Sequence, residues 1–247
     1  MLDNNLQGAV PIELWQMPNL RILDLSTNAI DFQFEGISEC SSLKGLYLSD
    51  TGLSSLEGIG ELADVGLLGL DISSNELTGP FPTELFNVLT LKDISISHNS
   101  FSGALDDKFD SFPDLKNFYA YGNDFTGQIP PSFGSCEKLS NLVFSENDFT
   151  GTLPLSLNNL ENLETLSIHQ TTNTRGGITG PLISFKSCAS MTTLHLGSNA
   201  LSGSLPSDLM EDSNVLGESI DVDLSNNKFT GGIPEDWARF DRLFIDL

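Results

Sequence analysis

The sequence predicts an α/β solenoid, a coil in which one short unit stacks on the next. Three observations predict it. Apolar residues return in one fixed pattern, and an asparagine closes each copy. From Asn75 to Asn147 those asparagines stand 24 residues apart without exception. A length of 247 residues is long for one globular core but ordinary for a stacked array.

The first half of each unit reads LxxLxLxxN. It appears as Leu20, Leu23, Leu25, Asn28, then as Leu67, Leu70, Ile72, Asn75, then as Leu91, Ile94, Ile96, Asn99. Leu115, Phe118, Ala120, Asn123 and Leu139, Leu142, Phe144, Asn147 come next, and later copies close on Asn199 and Asn227. The three apolar positions point inward from a short strand, and no single unit can bury them, so stacking must join them into one core. The Asn turns the chain off the strand, and its amide can satisfy backbone groups of neighbouring turns as an internal ladder. The second half carries a Gly four residues after the Asn, an apolar residue six after and often a Pro seven after, as in Gly127, Ile129, Pro130 and Gly151, Leu153, Pro154. The Gly accepts backbone geometry other residues resist, and the Pro confines the residues after it to extended structure.

The full string, LxxLxLxxNxLxGxIPxxLxxLxx, resembles the 24-residue plant-type leucine-rich repeat. That repeat occurs in receptor-like kinase ectodomains, polygalacturonase-inhibiting proteins and algal proteins. The resemblance covers essentially the whole chain. It implies a right-handed superhelix with a concave parallel β-sheet and an irregular or 3₁₀ convex side, and it implies ligand binding chiefly on the concave side.

Residues 1–247 then form a single solenoid of about nine full repeats, with incomplete repeats and no caps at either end. Uncapped ends lead us to expect a segment of a longer protein. Thr51 stands in the Asn slot of the second full repeat. The repeats starting at Leu20 and Leu43 lack the Gly-x-Ile-Pro half, so a locally different convex side is expected there. A net insertion in HQTTNTRGGITG, with Arg175 in it, falls at an Asn turn beside the concave face and reads as a small recognition loop. A second insertion, Met210 to Ser219, falls on the convex side. Cys40, Cys136 and Cys188 each lie three residues before a repeat start, in a slot that Phe112 and Leu160 fill elsewhere. They read as small buried thiols.

The formal charge of −23, from 34 acids against 11 Lys plus Arg, argues against nucleic-acid or membrane partners. The start, MLDNNLQGAV, has no secretory leader, which leaves a cytoplasmic location open beside the extracellular or cell-surface one that the resemblance implies. The chain has no GxGxxG, phosphate loop, CxxC or HExxH, so neither an enzyme nor a cofactor is expected.

Side chains alternate along a strand, so the positions two, four, six and seven after each repeat start should face the concave side. None of them holds Lys or Arg, seven hold acids, and all three tyrosines and all three histidines of the chain are among them. The residues singled out for ligand binding are Tyr47, Asp71, Asp93, His98, Tyr119, Tyr121, Glu146, His169, His195 and Asp223. An acidic, hydroxyl-rich groove with aromatic anchors suits a cationic protein or peptide, or a glycan. Ser167, His195 and Asp223 share one position in three successive repeats. An open sheet offers no oxyanion hole, so a His195–Asp223 hydrogen bond is expected rather than a catalytic triad. Metal binding by His169, His195 and Asp223 would need diagonal neighbours to meet, and no metal site is expected. Two other functions stay open: inhibition of a secreted hydrolase, and an ice-binding or structural array. Ice binding needs a regular outward lattice, and these outward residues vary from repeat to repeat.

Overall fold

In the computed structural model, the described residues are 4–170, 177–215, 219–240 and 242–247. The leucine pattern produces ten short parallel strands in one sheet, each hydrogen-bonded to the next in chain order. They are β1 (Ile22–Asp24), β2 (Gly45–Tyr47), β3 (Gly69–Asp71), β4 (Asp93–Ser95), β5 (Asn117–Tyr119), β6 (Asn141–Val143), β7 (Thr165–Ser167), β8 (Thr193–His195), β9 (Ile220–Asp223) and β10 (Leu243–Asp246). Register follows the repeat: Leu46 faces Leu70, Leu70 faces Ile94, and Leu142 faces Leu166. Leu43, Leu67, Leu91, Leu115, Leu139 and Leu163 are fully buried in one continuous core.

The asparagines form the expected ladder. Asn147 accepts from Phe125 N–H and donates its amide to Ala120, Phe144 and Ser145 carbonyls, so one side chain ties two turns together. Where Thr51 replaces Asn, its hydroxyl donates to Leu48 O and Asn75 Oδ1, and Asn75 also accepts from the Thr51 and Leu53 N–H groups.

Opposite the sheet the chain is built of short 3₁₀ turns and additional strands. Pro82, Pro130 and Pro154 are extended themselves, but they do not prolong extended structure as the sequence suggested. Each carbonyl accepts the N–H three residues on, from Leu85, Phe133 and Leu157, and so opens a 3₁₀ turn. The strands after the Asn form outer sheets. Ala29–Asp31 pairs with Gln7–Ala9, and a four-stranded outer sheet runs from Thr78–Gly79 to Asp148–Phe149. The repeat at Leu43 contributes no outer strand, and its 3₁₀ turn comes after Gly58 in the left-handed region instead of a Pro. That is the local difference its sequence announced.

A run of phenylalanines fills the middle of the coil. Phe109 and Phe133 stack at 3.8 Å, and Phe118 meets Phe109, Phe133 and Phe144. The three cysteines are buried and free. Cys136 Sγ donates to Phe109 O and Cys188 Sγ to Leu157 O, each reaching the preceding turn. Burial pushes both thiols up to about 12. No helix among the described residues is long and apolar enough to cross a membrane.

Candidate functional site on the concave face

Parallel pairing lines up equivalent residues across the sheet. One row reads Ile22, Gly45, Gly69, Asp93, Asn117, Asn141, Thr165, Thr193, Asp221, and the row two residues on reads Asp24, Tyr47, Asp71, Ser95, Tyr119, Val143, Ser167, His195, Asp223. The strands end at the second row. Beyond it the alternation expected from sequence fails in part. Ser26, Ser97 and Ser145, six residues after their repeat starts, are buried instead of lining the open face. The next residue takes a left-handed backbone (Thr27, Asp50, Ser74, His98, Gly122, Glu146, Ser198 and Asn226). This turn swings the chain toward the Asn; the residue before it is buried at Ser26, Ser97 and Ser145 and half-buried at Ser49, Ser73 and Tyr121.

The first half of the face is open and acidic. Asp24 and Asp71 each accept the backbone N–H two residues on, from Ser26 and Ser73. That is an Asx turn, written in the Asp-x-Ser strings and not read from them. The second carboxylate oxygens of both have no hydrogen-bond partner among the described residues. Asp93 accepts from the Asn117 amide, and Asn117 accepts from Asn141 at 2.7 Å. Sequence reasoning missed this amide row. Tyr119 is half-buried, and burial, with Asp93 and Glu164 nearby, pushes its phenol up. Tyr121 meets His98 edge to face at 4.6 Å. Glu146 and His98 are exposed at the rim.

The second half is closed on itself. Ser145 and Ser167 hydroxyls lie 2.7 Å apart, and both meet His169 Nδ1, at 3.0 and 3.2 Å. His195 Nε2 bonds Asp221 Oδ2 at 3.0 Å rather than the Asp223 expected from sequence. Asp223 is engaged by Ser225, whose N–H and hydroxyl it accepts. The Ser167–His195–Asp223 row is therefore not a hydrogen-bonded relay. No group of His, Cys, Asp and Glu among the described residues could hold a metal ion. Arg175 lies outside the described residues.

Four glycines on this face carry a signal that the sequence reading passed over. A Cβ on Gly45 would lie 2.8 Å from Tyr47, one on Gly122 would lie 2.8 Å from His98, and one on Gly197 would lie 2.6 Å from Asp223. Gly69 also lies under Tyr47, 3.3 Å from its hydroxyl by the same measure. Each leaves room for a neighbouring side chain of the face.

The repeat and the coil it builds resemble those of plant-type leucine-rich-repeat proteins, receptor-kinase ectodomains among them. A family model described as Leucine Rich Repeat matches residues 114–136 and 220–240. No curated protein sequence matches the chain significantly. Among solved structures, the chain is similar to the ectodomain of the membrane receptor kinase GASSHO1/SCHENGEN3 from Arabidopsis thaliana, complexed with CASPARIAN STRIP INTEGRITY FACTOR 2. That likeness has a TM-score of 0.83 and 26% identity, over 96% of this chain and 28% of that one. It is also similar to the plant peptide hormone receptor RGFR1 in complex with RGF2 (TM-score 0.77, 27% identity, 99% of this chain and 42% of that one). A plant ice-binding protein matches at TM-score 0.76 and 27% identity, over 98% of this chain and 76% of that one. The chain thus spans under half the length of the two receptor structures.

Proposed function

We propose that this chain is a recognition module, the leucine-rich-repeat part of a receptor-like or secreted surface protein. It binds a cationic protein or peptide along the concave sheet, outside the cell or at its surface. The observation that carries this reading is the charge of the face. Asp24, Asp71, Asp93, Asp221 and Asp223 line its two rows, with tyrosines between them and no lysine or arginine. Arg21, Lys44, Lys92 and Lys116 each precede a strand by one residue and stand along the sheet's edge. The peptide-hormone complexes of the similar receptor structures support a peptide partner. Titration with basic and acidic peptides tests the reading, using wild type and the reversals Asp71→Lys, Asp93→Lys and Glu146→Lys. Basic peptides bind, and each reversal weakens binding, chiefly by slowing association and lessening its salt dependence. Binding untouched by all three reversals, or selective binding of glycans, would overturn it.

A second reading, ice binding, draws on the similarity to the plant ice-binding protein and on one regular feature of the outer sheets. Thr78, Ser102, Thr126, Thr179 and Ser202 each sit in an outer strand before a Gly. Their pairing is staggered, with Thr78 against Ser100 and Ser102 against Asp124, so the hydroxyls step sideways and form no straight file. Thermal hysteresis in a freezing-point measurement would favour this reading, and its absence would remove it.

A further inference from the structure

Glycine weakens a strand interior, and where it occurs there, something approaches the backbone closely. β2 and β3 each begin with glycine, and Gly45 and Gly69 face each other in register. Neither has the positive φ that would require glycine. What needs the space is Tyr47. A Cβ on Gly45 would stand 2.8 Å from its Cε2, 3.1 Å from its hydroxyl oxygen and 3.2 Å from Cζ, and one on Gly69 would stand 3.3 Å from the hydroxyl oxygen. The far end of the ring therefore occupies the space above both glycines, reaching from β2 over β3, and the side chain is half-buried. Its hydroxyl makes no hydrogen bond to any described residue. On either side in the same row stand Asp24 and Asp71, each with one carboxylate oxygen held by a backbone N–H and the other unengaged. The nearest lysine in the chain, Lys44, is turned away, its ammonium donating to the Ser41, Val65 and Gly66 carbonyls.

We propose that Tyr47 on its glycine bed is the subsite for one arginine side chain of the basic ligand. A planar guanidinium stacks on the exposed ring face and donates to the free oxygens of Asp24 and Asp71. Guanidinium suits this site better than ammonium, because it is flat, weakly hydrated and donates in two directions at once. The assignment rests on the concave-face reading above and specifies the residue it recognises first.

The test is an NMR titration of the full chain with acetyl-arginine amide and with acetyl-citrulline amide, its flat uncharged counterpart. Arginine amide should shift the Tyr47 ring signals, and citrulline amide should not. For a basic peptide, Tyr47→Phe should bind like wild type. Tyr47→Leu should lose about fivefold to tenfold, the range of a partly desolvated cation–aromatic contact. Gly45→Ala keeps an allowed backbone but lifts the ring, and should lose as much as Tyr47→Leu. If a basic peptide binds the concave face while Tyr47→Leu and Gly45→Ala bind normally, this subsite is wrong and the face reading stands. If no basic peptide binds at all, both fall. Equal shifts from arginine and citrulline amides would also overturn the subsite.

Discussion

The two halves of the concave sheet stand on the same rungs, yet their polar groups do different things. In β1 to β4 the carboxylates of Asp24 and Asp71 each keep an oxygen free, and Tyr47 stands between them over Gly45 and Gly69. In β6 to β9 the hydroxyls and imidazoles satisfy one another: Ser145 with Ser167 and His169, and His195 with Asp221. A polar group already bonded to its neighbour gains little from a ligand, because binding only exchanges one hydrogen bond for another. A seated but unbonded group has that bond still to make. The same coil thus presents a more receptive half and a more self-satisfied one, a contrast of degree, since Ser49 and Ser73 bond each other in the first and Ser225 holds only one oxygen of Asp223 in the second. The difference arises only at positions that the core does not constrain.

Substitutions should separate the shared scaffold from the two faces. The largest effect belongs to the ladder. Asn147→Leu removes four hydrogen bonds and leaves the Phe125 N–H and the Phe144 carbonyl without that partner, while Ala120 O keeps the Asn123 amide and Ser145 O the Gly122 N–H, and should cost about 3 kcal/mol in urea unfolding. A loss below about 1 kcal/mol would mean the halves do not share that interior. Alkali is the next probe. Cys136 and Cys188 have ordinary thiol values near 9 when unfolded and about 12 when folded, so only the folded state holds the proton between those limits. The stability they contribute is complete below pH 9 and is lost as pH climbs toward 12. The Cys136→Ala, Cys188→Ala double variant should flatten that decline in thermal melts.

Smaller effects distinguish the faces directly. Ser145→Ala breaks two bonds within the self-satisfied half and should cost about 1 kcal/mol. Asp71→Lys, in the receptive half, should change stability by less than about 0.5 kcal/mol while weakening basic-peptide binding. His195→Gln should likewise be small, because the His195–Asp221 pair is partly exposed, and such pairs contribute about 0 to 1 kcal/mol. A stability loss from Asp71→Lys as large as that from Ser145→Ala would dissolve the contrast between the halves.

Much of the coil was legible in the sequence, because a periodic signal is repeated many times and one irregular copy does not erase it. Leu70, Leu142 and Asn147 needed only their spacing to be placed in the core and the ladder. The missing Gly-x-Ile-Pro half foretold a different convex side at Leu43, though not that its outer strand would go while the Leu20 repeat, lacking the same half, keeps Ala29–Asp31. The face was less legible. Whether His195 turns to Asp221 or Asp223 depends on a rotamer, and Ser225 had already claimed Asp223. Ser97 and Ser145 are buried while Ser49 and Ser73, before the same left-handed turn, are half-buried, and nothing in the repeat pattern separates them. Gly45 and Gly69 read as blanks in a row of side chains, because their meaning lies in the ring above them. The prolines misled for a related reason. Pro82 itself is extended as read, but its carbonyl opens the next turn.

All three tyrosines of the chain lie on the concave sheet, so tyrosine chemistry reports on that face and no other. The decisive measurement is nitration of Tyr47, Tyr119 and Tyr121, followed by mass spectrometry, with and without a bound arginine-rich peptide. Strong protection of Tyr47 and weaker protection of Tyr119 and Tyr121 is the result this account predicts. A peptide that binds tightly and leaves all three as reactive as in the free protein would place recognition elsewhere on the coil.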